Sequence, residues 1–177
     1  MHYLEDFYIK NLKYDLINKF FYKNIKKLPS LKKIVLNFGC KTTNIKTLAA
    51  NLLALELLAG KRGSLRTAKQ PNLALRIKKG NPVGCILTLN KTKLNFISKI
   101  LTETLTKIKQ FDGLKLKCEK NCLSYTIKNS FNFTCLEDHY YLFNNLSNLN
   151  ITIITNSSKK EETLFVLKAL QLPLKNK

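Results

Sequence analysis

The chain has 177 residues, enough for one domain with a substantial core, and its 45% hydrophobic content excludes an intrinsically disordered protein. Its 31 basic and 11 acidic residues give a net charge of +20 at pH 7. This excess predicts a polyanionic partner, foremost RNA, with an anionic membrane surface as the competing explanation. No apolar run reaches the roughly 18 residues that a membrane-spanning helix needs.

Cysteine usage predicts reduced thiols, because the five cysteines are an odd number with no secretory leader before them. Cys118 and Cys122 are spaced to share one local site, but no second Cys or His pair at zinc spacing completes it. We therefore expect no metal and no cofactor.

The first predicted element is an amphipathic helix over residues 4–21. Its apolar residues recur at helical spacing, namely Leu4, Phe7, Tyr8, Leu12, Leu16, Ile17 and Phe20.

Residues 32–39 predict a strand with one buried face, because Ile34, Leu36 and Phe38 alternate with more polar positions. Lys33 and Asn37 would then share the opposite face, where they could meet RNA. The alternative is an ordinary solvated strand face. Asparagine is disfavoured inside strands, which favours a contact.

A helix is predicted next, capped by Thr43 or Asn44, continuing to Ala59 and stopped by Gly60. Leucine and alanine occupy nearly every side of it, so we expect it to be mostly buried.

The stretch from Gly60 to Leu89 is the most basic part of the chain, and no acidic residue occurs between Leu57 and Thr102. Glycines and prolines divide it, which predicts a long loop over about 67–84, followed by a strand over Cys85–Leu89. Such a loop is suited to reaching into folded RNA; the alternative is a solvated lysine-rich loop. The cations of the whole stretch from Gly60 to Leu89 are Lys61, Arg62, Arg66, Lys69, Arg76, Lys78 and Lys79.

The second half of the chain predicts a helix over 91–109 and strands over 123–128, 131–135 and 149–155. A last helix over about 159–171 is capped by Ser157 or Ser158 and ended by Pro173. Helices interspersed with strands that do not follow one another predict a single α+β domain.

Candidate catalytic residues are few. Glu137, Asp138 and His139 are adjacent in sequence, which is more typical of a surface turn than of a site. Nucleotide-binding, metalloprotease and hydrolase motifs are absent, so we do not expect an enzyme.

Several runs of the chain together resemble the large-subunit ribosomal protein family L-five, of bacterial and organellar type. They are Pro29–Gly39, Arg76–Leu89, Phe111–Leu114, Tyr125 and Leu149–Thr155, in order and over essentially the whole chain. The segments Leu136–Tyr140 and Glu161–Leu164 look most like the mitochondrial branch.

The resemblance implies a curved, mostly antiparallel sheet backed by helices, with a long basic loop. It implies binding of 5S rRNA, large-subunit rRNA or both in the central protuberance. Lys33, Asn37, Gly39 and Thr88 match positions near the RNA-facing surface, and we add the flanking cations Arg62 and Arg66.

The loop matches a segment that reaches towards P-site tRNA and a small-subunit head protein across an intersubunit bridge. Its expected contact residues are Lys69, Arg76, Lys78, Lys79, Gly80 and Asn81. Neighbouring large-subunit proteins are further expected partners.

We therefore expect a structural protein of the mitochondrial large subunit, with a non-ribosomal RNA-binding or RNA-maturation factor as the alternative. Heavy use of Lys, Asn, Ile, Phe and Tyr, whose codons are AT-rich, and the lack of an N-terminal extension favour a gene in the organelle. A plastid or a low-GC bacterial cytoplasm is the alternative location.

Overall fold

The computed structural model describes residues 3–40, 43–109, 111–114, 117–119, 121–143 and 145–175. The Cys118 side chain is not described, so the local site that the sequence suggests for Cys118 and Cys122 lies outside the described part of the chain. Among the described residues, Cys40, Cys85 and Cys135 are free thiols.

A six-stranded sheet forms the centre of the protein, in the order β2-β3-β1-β6-β5-β4. Every pair of neighbouring strands in it is antiparallel, which confirms the α+β prediction. The strands are β1 (Leu31–Gly39), β2 (Ser64–Thr67), β3 (Pro82–Leu89), β4 (Lys117–Cys118), β5 (Cys122–Ile127) and β6 (Leu149–Thr155).

The central strands bury alternate residues, as the period of two in their sequences requires. In β1, Ile34, Leu36 and Phe38 are fully buried, as predicted. Leu149, Ile151 and Ile153 of β6 are equally buried and join them in the same core. The described helices pack on this face, whereas Lys33, Val35 and Asn37 on the other face of the sheet are only half-buried.

Four main helices accompany the sheet. The N-terminal helix consists of Tyr3–Phe7, a π-helical turn over Tyr8–Leu12, and Lys13–Lys19. The second helix is Ile45–Ala59. The third joins Lys93–Lys99, a π-helical turn over Ile100–Thr104, and Leu105–Lys107. The C-terminal helix is Lys160–Ala169. No helix in the described ranges is both long and apolar enough to cross a membrane.

The second helix has the predicted ends but not the predicted burial. The Asn44 side chain accepts a hydrogen bond from the Lys46 backbone N–H at 3.1 Å, and Gly60 ends the helix with a left-handed φ of 61°. The prediction that it is mostly buried holds on one side only. Leu53 and Leu57 are 42% and 40% exposed because only one side of the helix faces the sheet.

The predicted strand over 131–135 is also wrong. Ser130–Asn132 form a 3-10 turn and Thr134–Glu137 a short helix. The Asn129 side chain accepts from the Phe131 backbone N–H at 3.1 Å, which caps the turn and ends the extended backbone of β5.

The C-terminal helix begins without the predicted serine cap. Glu162, in its first turn, reaches back and accepts from the backbone N–H groups of Ser158 and Lys159 at 3.3 and 3.4 Å. Ser157 is instead buried with Thr155 and Thr163 in a hydroxyl cluster beneath the helix.

The basic stretch is more regular than predicted. β2 was not foreseen, and β3 begins at Pro82 rather than at Cys85. The two strands form a hairpin, so the connecting loop is residues 68–81. β2 is an edge strand whose residues are all exposed, and it lacks the burial alternation that would have predicted it.

Candidate nucleic-acid interface

The uncovered face of the sheet, here called the open face, consists of the alternate residues that do not enter the core. It brings together side chains from five strands that are far apart in the sequence. Its members are Lys33, Val35, Asn37, Gly39, Ser64, Arg66, Gly84, Ile86, Thr88, Cys122, Ser124, Thr126, Asn150, Thr152 and Ile154.

The open face is polar and carries no carboxylate among these positions. Lys33 and Arg66 supply positive charge, and the Lys61 ammonium donates to the Thr88 carbonyl oxygen at 3.3 Å beside it. Hydroxyl and amide groups make up most of the rest. Such a surface can bind phosphate and sugar groups without repelling them.

Asn37 lies near the middle of the open face. The strand register aligns it with Ile86 of β3 on one side and with Asn150 of β6 on the other. In the next strand, Thr126 donates a hydrogen bond to the Asn150 amide oxygen at 2.7 Å. Asn37 has no such partner among the described residues, so its donor and acceptor remain available to a ligand.

Two glycines continue the open face beyond Asn37. Gly39 and Gly84 are paired across β1 and β3, and Arg66 of β2 is paired with Gly84. A Cβ atom on Gly84 would lie 2.8 Å from the Phe38 carbonyl oxygen, so no side chain fits there. Gly84 is buried, but Gly39 is exposed with no atom within 4 Å of a Cβ built there, so a ligand can approach the backbone at Gly39.

The structure thus gathers five of the six residues predicted to bind rRNA on one surface, namely Lys33, Asn37, Gly39, Arg66 and Thr88. Arg62 is exposed two residues before the start of β2 and is not part of the sheet.

Sequence reasoning missed the contribution of β5 and β6 to this surface. Asn150 and Thr152 alternate with buried residues in β6, a signal that was visible in the sequence. Ser124 and Thr152 share a hydrogen bond at 3.1 Å between their hydroxyls. Only the pairing of the strands reveals that these residues adjoin Asn37.

The loop between β2 and β3 is a hairpin extension rather than an open coil. Ala68 donates to the Asn81 carbonyl at 2.8 Å, and Gly80 donates to the Ala68 carbonyl at 2.9 Å. Asn72 and Ile77 then exchange two backbone hydrogen bonds, both 2.9 Å long, around a turn at residues 73–76. Arg76 adopts a left-handed φ of 53° in this turn.

Four cations predicted for this loop are exposed, namely Lys69, Arg76, Lys78 and Lys79. Gly80 has φ of 89° and lies beside Asn81 near the base of the loop. The six predicted loop residues therefore lie on one hairpin extension beyond the sheet.

The apolar residues of the loop behave differently from one another. Ile77 is 7% exposed, but Leu73 is 93% and Leu75 45% exposed. The turn therefore presents leucines at its tip and cations along its sides.

The chemistry of the remaining ionisable groups is typical of a core rather than of a catalytic site. Burial raises the pKa of Tyr8 and Tyr125, and it raises the pKa of Cys85 to about 11. None of these groups points to the open face. Glu137 forms an ion pair with Lys107 at 2.5 Å, and Asp138 and His139 are exposed beside it.

Comparison with known proteins gives consistent relatives, although no family model matches the chain. The chain is 33% identical over 179 residues to the large ribosomal subunit protein uL5m of Reclinomonas americana, covering 98% of each. It is 31% identical over 176 residues to uL5c of Oedogonium cardiacum, again with 98% of each covered. It is 30% identical over 175 residues to uL5 of Desulfosudis oleivorans, covering 97% of this chain and 98% of that one.

Proposed function

Because the chain belongs to the uL5 family of large-ribosomal-subunit proteins, we propose that it binds 5S rRNA, large-subunit rRNA or both through its open face. As a member of this family it is a structural ribosomal protein and not an enzyme. Beyond family membership, we propose which surface of the protein binds RNA and which residues contact it.

The observation that carries the proposal is the Asn37 amide, which has no partner among the described residues, on a polar surface whose strand positions carry no carboxylate. An amide both donates and accepts, so it can recognise a base or sugar edge where lysine supplies charge alone. Lys33 and Arg66 lie on the same surface, and Arg62 lies two residues before β2, so phosphates on either side of such an edge would find cations. The exposed Gly39 leaves room for the RNA backbone.

The hairpin loop supports a second part of the proposal, contact with P-site tRNA and with a small-subunit head protein. Its cations lie on an extension beyond the sheet, held by backbone hydrogen bonds at its base and near its tip. A phosphate backbone fits the cations Lys69, Arg76, Lys78 and Lys79. A protein surface fits the leucine tip.

We place the protein in the central protuberance of the mitochondrial large subunit, next to other large-subunit proteins. The similarity to uL5m and the residue usage of AT-rich codons support this location. The similarity to uL5c and to bacterial uL5 makes a plastid or a bacterial cytoplasm the second choice.

Sedimentation of a tagged chain through a sucrose gradient tests the ribosomal assignment. A ribosomal protein is expected to travel with the large subunit even after a high-salt wash. A non-ribosomal RNA-binding or maturation factor would instead leave the subunit in high salt and sediment near the top.

Filter binding of the purified protein then separates the two RNA partners. The probes are 5S rRNA and the large-subunit rRNA segment that lies beside it in the subunit. Saturable binding to either at nanomolar protein supports the open-face proposal. Equal affinity for both probes and for an unrelated RNA of the same length would contradict it.

A further inference from the structure

Phe21 is fully exposed, with 100% of its surface accessible to solvent. Phenylalanine is among the residues most often buried, and no other large hydrophobic side chain in the described part of the chain is as exposed as Phe21. It lies just beyond the N-terminal helix, on the segment that leads into β1. The open face and the hairpin loop do not include it.

Its neighbours hold Phe21 outside. Backbone angles at Phe20 are extended, with φ of −122° and ψ of 123°, so successive side chains point in opposite directions. Phe20 packs edge-on against Phe165 of the C-terminal helix, with ring centroids 5.9 Å apart. The Tyr22 ring lies 6.3 Å from that of Phe20, and its hydroxyl is enclosed by the protein. Because residues 20 and 22 both face inward, Phe21 must face outward.

The residues after Tyr22 form an exposed arch over 23–27, anchored at its far end. Leu28 is buried, and the Pro29 carbonyl accepts a hydrogen bond from the Tyr8 hydroxyl at 3.0 Å. A short 3-10 turn over Ile25–Lys27 shapes the arch, with the Lys27 N–H donating to the Asn24 carbonyl at 3.0 Å. The exposed aromatic ring and the arch are therefore held in place by the core.

The exposed charges on the arch beside Phe21 are all positive. Lys23, Lys26 and Lys27 are exposed on the arch, and in the described part of the chain none of them pairs with a carboxylate. The sequence contains no Asp or Glu from residue 16 to residue 55. This positive charge would attract an anionic partner and would disfavour an apolar partner without acidic residues.

We propose that Phe21 and the lysine arch 23–27 form a second RNA-binding surface, on which an unpaired base stacks against the Phe21 ring while the lysines bind the flanking phosphates. An aromatic face with cations beside it is the arrangement by which proteins hold single-stranded nucleic acid without reading its sequence. The inference rests on the proposed role in RNA binding, but it concerns a different surface. Phe21 precedes the N-terminal end of β1, whereas Asn37 and Gly39 lie towards its C-terminal end.

Fluorescence titration of the full-length protein with a labelled oligoadenylate tests the stacking. Phe21→Ala is expected to weaken binding about tenfold, the effect of losing one base–aromatic stack. Phe21→Leu keeps an apolar side chain but no ring, so it is expected to lose as much. Phe21→Trp is expected to bind at least as well as the natural protein.

The matched control is Tyr141→Ala, which removes another exposed aromatic side chain, 72% accessible, from a segment, residues 129–158, that contains no Lys or Arg. It is expected to leave oligoadenylate binding unchanged. Replacing Lys23, Lys26 and Lys27 with Gln should weaken binding and reduce its salt dependence. Unchanged affinity of Phe21→Ala, or full affinity of Phe21→Leu, would overturn the stacking proposal.

A photo-crosslinking amino acid at position 21 tests the same contact in the assembled large subunit. A crosslink to RNA, removed by ribonuclease, supports the proposal. A crosslink to a protein alone would overturn it and identify Phe21 as a protein-docking residue. Neither result depends on the open face, whose failure would be seen in 5S rRNA binding by Asn37 variants.

Discussion

At the scale of single residues, Asn37 and Gly84 illustrate two ways in which one position shapes a binding surface. The Asn37 amide lacks a partner among the described residues, while nearby polar groups such as Asn150 and Thr126 bind each other. Gly84 acts through its lack of a side chain, since a Cβ atom there would collide with the backbone of β1. Asn37 supplies hydrogen-bonding groups, and Gly84 permits the close pairing of β1 and β3.

Asn37→Ala is expected to weaken binding to 5S rRNA, or to the equivalent large-subunit RNA, by roughly 1–3 kcal/mol. The fold should remain intact because the half-buried amide makes no contact that the sheet needs. Isothermal titration with the RNA measures the loss. Asn18→Ala, an exposed asparagine on the N-terminal helix, is the control. If Asn37→Ala binds RNA as the natural protein does, Asn37 is only a solvated strand residue.

Gly84→Ala is expected to lower the free energy of unfolding by about 1–3 kcal/mol, because its Cβ would lie 2.8 Å from the Phe38 carbonyl oxygen. Urea denaturation measures the change. Gly39→Ala in the adjacent strand is the control, since no atom lies within 4 Å of a Cβ built there. Equal stability of the two variants would show that β1 and β3 can separate without cost.

At the scale of elements, the hairpin loop differs from the open face in how its cations are supported. Lys33 and Asn37 project from a strand in the middle of the sheet, bonded on both sides. Arg76, Lys78 and Lys79 lie on a hairpin extension joined to the sheet only through β2 and β3. We therefore expect mutations in the hairpin loop and mutations on the open face to impair different binding functions.

Changing Arg76, Lys78 and Lys79 together to Ala is expected to leave subunit assembly and 5S rRNA binding intact. The variant should weaken P-site tRNA occupancy at least several-fold, because the loop contacts only what passes in front of it. Gradient sedimentation measures assembly, and chemical footprinting measures tRNA occupancy.

The control for this variant removes equal charge elsewhere, by changing the exposed Lys91, Lys109 and Lys128 to Ala. Subunits with the altered loop that fail to assemble, while the control subunits assemble, would identify the loop as a structural contact to rRNA.

At the scale of the whole molecule, charge dominates. The 11 acidic residues can neutralise at most 11 of the 31 basic ones, so 20 positive charges remain for a partner or for solvent. One of the acidic residues, Asp112, pairs with Lys175 at 3.3 Å. The uncompensated positive charges make the free protein attract polyanions strongly.

Binding to RNA should therefore depend steeply on salt. Six or more phosphate contacts give a slope of log affinity against log salt steeper than about −4, even with the smaller coefficient for single strands. Titrations at several potassium chloride concentrations measure it. A flat response with binding retained would mean that the basic excess is not the binding surface.

Local sequence patterns determined much of the fold. Alternation in β1 and β6 predicted which residues are buried, since successive strand residues point to opposite faces whatever the neighbouring strands are. Asn44 and Gly60 predicted the ends of the second helix because capping involves only nearby backbone groups. Lys33 and Asn37 could be assigned to one face of β1 by the same local reasoning.

Only the tertiary structure decided what lies beside those residues. Asn150 adjoins Asn37 through the pairing of β1 with β6, and Gly84 approaches Phe38 through the pairing of β1 with β3. These pairings join segments distant in the chain, so no local pattern specifies them. Packing between distant segments also left Leu53 and Leu57 exposed and directed Phe21 towards solvent, because the exposure of a side chain depends on which elements pack against it. The sequence by itself determined the faces of each element, and long-range packing decided which of those faces became the surface available to RNA.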